Sequence, residues 1–62
     1  MINTRYKKLT GTHAGQVYVV IGPFSEIETP LRWVLHNETV DEDKPIVAES
    51  ALGDPKEWQP LG

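Results

Sequence analysis

The chain has 62 residues, 24% of them charged, no cysteine and a formal net charge of −3. That length suits one small domain, which buries only about 60% of the surface its unfolded chain exposes, and the lack of cysteine excludes a disulfide framework and a thiolate zinc site. The acidic balance also argues against a protein that lives on nucleic acid, where affinity comes mainly from a basic stripe neutralising phosphate.

The opening MINTRYKK has no apolar region behind its charges, and no apolar run approaches the ~20 residues of a spanning helix, so a soluble cytoplasmic protein with no membrane contact is expected. Charge is spread unevenly. Through Ser25 the chain carries Arg5, Lys7 and Lys8 and no acid, whereas from Glu26 onward Arg32, Lys44 and Lys56 face nine acids. Arg5, Tyr6, Lys7 and Lys8 are the candidate nucleic-acid contact, set against the commoner reading of such a run as a solvated edge strand.

The first expected strand is 5–9, followed by Gly11 and Gly15 around Thr, His and Ala. A loop that cradles phosphate follows a strand and opens a helix; this glycine pair precedes a strand and lacks the Lys-Ser/Thr of a P-loop. The glycines read instead as sources of positive backbone angles for a turn. Residues 16–21 form the clearest strand, since Val17, Tyr18, Val19, Val20 and Ile21 are all β-branched or aromatic.

Over 25–36 two local signals compete. Ser25 and Glu28 make a capping box, and Ile27, Leu31, Val34 and Leu35 follow a helical spacing. Read as a strand, Leu31, Trp33 and Leu35 share one face, with Arg32 and His36 on the other. Pro30 would cost a long helix ~3 kcal/mol, while a shorter helix with Pro30 at its first position stays compatible. The strand over 31–36 is the reading carried forward. Pairing it with 16–21 so that Ile21 meets Leu31 sets Val19 against Trp33 and Val17 against Leu35 on an inner face. The second face then holds Tyr18 against Val34, Val20 against Arg32 and Gln16 against His36. It is largely apolar too, so both sides need cover. Tyr18, Val20, Arg32 and Val34 are therefore the candidate protein-binding patch.

Residues 37–44, NETVDEDK, read as a solvated acidic loop. Asn37-Glu38-Thr39 fits a glycosylation acceptor, which carries no weight without a secretory signal. Residues 46–52 are expected as a fourth strand, Gly53-Asp54-Pro55 as a turn with one helical turn before Trp58, and Trp58 as the side chain closing one end of a barrel. Short segments between frequent turns make an all-β domain spanning 1–62, with about five short antiparallel strands.

No constellation carries chemistry. His13 lies in a turn and His36 at a strand end, with only Glu38 close by, and Asp41, Glu42 and Asp43 lack calcium-loop spacing. Nucleophilic catalysis needs a water-excluding concavity that so short a chain hardly provides. The expectation is no enzyme, no cofactor and no metal.

The run RYKKLTGTHAGQVYVVIG, a strand, a glycine turn and an apolar strand ending in glycine, resembles the start of an SH3-like small β-barrel. More distantly it is similar to KOW-type modules and to small bacterial and phage domains that close on an aromatic-Pro-Leu stretch, which EWQPL echoes. The resemblance implies the small-barrel fold. With the apolar second face, it leads to the expectation of a non-catalytic binding or adaptor module acting on a protein partner or as a homodimer. So compact a chain would also suit a phage or mobile-element product that redirects a host protein. The competing expectation is a nucleic-acid- or ribosome-associated adaptor working through the basic first strand.

Overall fold

The computed structural model describes residues 2–24 and 31–62. They form β1 (Arg5–Lys8), β2 (Val17–Pro23), β3 (Arg32–Asn37), β4 (Ile46–Ala48), α1 (Glu49–Leu52) and β5 (Trp58–Pro60). The strands make one curled antiparallel sheet in the order β4-β3-β2-β1-β5. The all-β class with a short helix near the C-terminus is thus observed. The capping box of Ser25 and Glu28, with Ile27 and Pro30, lies outside the described residues. Residues 32–37 are a strand, which sets aside the helical alternative for that segment.

The first hairpin forms for the reason its glycines indicate. Gly11 and Gly15 adopt φ of 84° and 89°, a region where a β-carbon is strained. The Gly15 N–H donates to the Lys8 carbonyl at 2.8 Å and the Lys8 N–H to the Gln16 carbonyl at 2.9 Å, which closes the turn onto paired strands.

The register of β2 on β3 departs from expectation. Tyr18 pairs with Asn37, Val19 with His36 and Val20 with Leu35; after a bulge between Val20 and Gly22, Gly22 pairs with Val34 and Pro23 with Trp33. Leu35 therefore faces Val20, not Val17. The slip is an odd number of residues, so the two faces of β2 exchange. Tyr18 and Val20 point inward, at 1% and 0% exposure, and Val17 and Val19 point outward. The expected face of β3 is retained, with Trp33 and Leu35 on the inner side.

Tyr6, Tyr18, Val20, Leu35, Leu52 and Trp58 make the core, with Trp33 and Val47 packed against it. Trp58 stands edge-on to both tyrosines, its ring centroid 6.3 Å from Tyr6 and 5.3 Å from Tyr18, the arrangement aromatic quadrupoles favour. Trp58, expected to close one end of a barrel, is buried in the core at 4% exposure.

The expected fourth strand is only half right. Residues 46–48 pair with β3, but the last bond of that ladder runs from the Glu49 N–H to the Leu31 carbonyl. Extended further, the chain would carry Leu52 past the end of β3. Coiling into α1 turns Leu52 back into the core, where it is 3% exposed. No described helix is long and apolar enough to cross a membrane.

Candidate functional site

Residues directly opposed in an antiparallel pair share a face, so the register builds the outward surface row by row. Ile46 faces Val34; His36 faces Val19, which faces Arg5; Val17 faces Lys7, which faces Gln59. Arg32 lies on the same side of β3 as Val34, two residues along. Ile21, the extra residue of the bulge, is 47% exposed, as is Ile46. Val17, Val19 and Val34 are half-buried. The outward face is thus an apolar stripe running from β4 to β2, bordered by cations.

One ion pair crosses this face. Arg5 on β1 donates from Nε and Nη2 to both carboxylate oxygens of Glu38, just beyond β3, at 2.8 and 3.0 Å. Strand β2 lies between the two, so the bridge passes over it beside Val17 and Val19. The hydrogen bond and charge of Arg5 hold the Glu38 carboxyl below its ordinary range, and Glu38 in turn raises Arg5. His36 adds a second contact on this side, its Nε2 3.0 Å from Asp41 Oδ1.

A polar cluster closes one end of the core. Asn37, 1% exposed, donates from Nδ2 to Gln16 Oε1 at 2.7 Å and to Asp43 Oδ2 at 3.2 Å, while its Oδ1 accepts from the Thr39 and Val40 N–H groups. The Tyr18 hydroxyl donates to the same Asp43 oxygen, and His13 Nε2 lies 3.6 Å from it. Burial, and then the bond to Asp43, push the Tyr18 phenol up to about 12. The bond from Tyr18 is the largest of the effects that hold Asp43 below its usual value. Among the described residues no buried side-chain donor or acceptor is left unpaired, so the cluster reads as a completed structural network.

The predicted patch is therefore divided. Arg32 and Val34 stand on the outward face, but Tyr18 and Val20 are core. Their exposure was inferred from a register that the apolar residues on both sides of β2 allow equally well. The outward places belong to Val17, Val19 and Ile21. The basic candidates divide as well, because neighbours along a strand point to opposite faces. Tyr6 is 8% exposed in the core, and Lys8 lies 4.5 Å over the Trp58 ring and 3.9 Å from Glu57. Arg5 and Lys7 face outward, Arg5 tied to Glu38. Sequence reasoning missed Asn37 and Asp43. Asn37 looked like the start of a loop and a glycosylation pattern, yet it is buried, and Asp43 belongs to a run that reads as solvated. No local signal marks either.

Compared with models of protein families, with curated proteins and with solved structures, the chain matches none.

Proposed function

We propose that this chain is a non-catalytic binding module that acts through protein–protein contact at the outward face of its sheet, using Val19, Ile21 and Val34 with Arg32 beside them. The observation that carries this reading is the two-sided apolarity of β2 and β3. The inner side fills the core with Tyr18, Val20 and Leu35, and the outer side keeps valines and Ile21 where an ordinary half-wet sheet carries polar residues. Large apolar groups held at a surface and rimmed by charge are the usual ground of a contact site. Strand number, antiparallel pairing and curl are compatible with an SH3-like barrel, and such a scaffold would serve an adaptor.

The test compares the intact chain with Ile21→Lys and Val34→Lys as bait against extract of the native host. Both sites point away from the core, so both variants should keep the native near-ultraviolet dichroism. A partner retained by the intact chain and lost at least ~10-fold by both variants supports the reading. Capture unaffected by either variant defeats it. Retention on nucleic acid that falls steeply with salt would favour the adaptor that binds phosphate through Arg5 and Lys7.

A further inference from the structure

We infer that the outward face of the sheet receives an acidic segment of a partner protein, which seats one large apolar side chain over Gly22 and brings carboxylates to Lys7 and Lys44. The inference rests on the outward-face reading and adds to it the chemistry of the partner. Gly22 pairs with Val34 and so shares its side of the sheet. Unlike Gly11 and Gly15 it does not have a positive φ, and a β-carbon added there would meet no described atom within 4 Å. Neither the backbone nor the packing of the described residues therefore calls for glycine, and a bulge glycine of the left-handed kind would have positive φ. A strand glycine without such a cause marks a place where another chain comes close. Exposed apolar side chains border the gap, Ile21 beside it and Phe24 two residues on, each 47% exposed. Phe24 stands on the same side, since its N–H donates to the Arg32 carbonyl at 2.9 Å and the Arg32 guanidinium lies 4.9 Å over its ring. With Val34 and Ile46 across the ladder, they wall a dent the size of one missing side chain.

The charge around this dent selects the occupant. The chain is −3 overall, yet four of its six Lys and Arg residues stand on this face. Arg5, Lys7 and Arg32 have been placed there by register. The bonds from the Leu35 N–H to the Pro45 carbonyl and from the Asn37 N–H to the Asp43 carbonyl continue the register of β3 on β4, which sets Lys44 opposite the outward His36. Two described acids make contacts here, Glu38 with Arg5 and Asp41 with His36. Lys7 and Lys44 are exposed and are in no ion pair among the described residues. Cations at the margin of an apolar patch complement acids set around an apolar anchor. A nucleic acid or an anionic bilayer extends past the patch and meets the field of the whole chain, which is negative. A short acidic segment meets only this face.

The test uses the intact chain and short synthetic peptides in which one Leu, Phe or Trp stands among Asp and Glu, with matched sets that exchange the acids for Lys or the apolar residue for Ser. Fluorescence anisotropy should show the acidic apolar set bound at least ~10-fold more tightly than either control, and more weakly as salt rises. Gly22→Val separates the seat from the fold. Valine suits a strand and its β-carbon has room, so this variant should melt no lower than the unaltered chain, yet it fills the dent and should lose ~10-fold or more in peptide affinity. Lys7→Glu combined with Lys44→Glu changes two exposed side chains and should also lose ~10-fold, together with most of the salt dependence. That pair carries the test should Gly22→Val fail to fold. Absence of binding throughout the acidic set, equal binding of the Lys set, or undiminished binding by a folded Gly22→Val or by the double lysine variant would each overturn the inference. Retention on single-stranded DNA or on phosphatidylserine vesicles in place of the peptides would do the same. A host partner lost from Ile21→Lys and Val34→Lys, with no acidic peptide bound, would leave the outward-face reading in place and remove this one.

Discussion

The Tyr18 hydroxyl reaches from the floor of the core to donate its hydrogen to Asp43, 25 residues along the chain, and that carboxylate also accepts from the buried Asn37. The bond ties the acidic segment after β3 to the curled sheet.

Because of it, Tyr18→Phe should fold but lose about 1–2 kcal/mol, the ordinary worth of a hydrogen bond to a charged group with partial solvent access. Tyr18→Ser removes a buried ring as well and should cost ~3–5 kcal/mol, against a total of about 3–9 kcal/mol for a chain of this size. Urea denaturation separates the two. A well-folded Tyr18→Ser protein that merely binds less would restore the exposed patch expected from sequence.

The same pair sets two pH limits. The Tyr18 pKa is raised in the folded chain to about 12, so its contribution is fully present below the unfolded value of about 10 and is lost as pH rises from there toward 12. The Asp43 pKa is lowered, so its contribution is present above the unfolded value of about 3.9 and fades as pH falls below it. Thermal melts should give a plateau between these limits, and Tyr18→Phe should flatten the alkaline fall. An unchanged alkaline limb in that variant would remove Tyr18 as its cause.

Trp58 and Trp33 should differ. Trp58 is 4% exposed and touches both core tyrosines, so Trp58→Ala should cost ~3–5 kcal/mol and leave little folded protein. Trp33 only flanks the core and bonds Glu49 from Nε1 at 3.3 Å. Its alanine variant should be damaged less, by about 2–3 kcal/mol. Equal midpoints in a denaturant series would contradict this ranking.

Glu38→Ala should barely move the melting temperature, since its bridge to Arg5 is solvent-exposed. It should uncover Val17 and Val19 nonetheless, so an apolar dye should bind more strongly than to the unaltered chain. Dye binding that stays constant while stability drops would show the bridge to be structural.

Gly15→Ala tests the turn. At φ 89° the new β-carbon meets no atom within 4 Å, so the cost of about 1–2 kcal/mol comes from backbone strain alone. A neutral result in chemical denaturation would mean the turn relaxes out of that region.

Much of this architecture was legible residue by residue. The glycine turn, the β-branched run of β2 and the strand at β3 are local properties, decided by sterics and by side chains that suit a pleat. That Trp58 would be buried was legible from its size, which has no equal near the C-terminus, and it lies in the core.

Composition and local pattern by themselves determined an all-β chain whose central hairpin is apolar on both sides. Only the tertiary structure decided which side faces water. In β2 every residue from Val17 to Ile21 suits burial, so a slip of one pairing position exchanges the faces at almost no cost in local preference. The choice was made by contacts distant in sequence: Tyr18 meets Asp43 and Trp58 only when it points inward, and Arg5 reaches Glu38, 33 residues away, only over the opposite face.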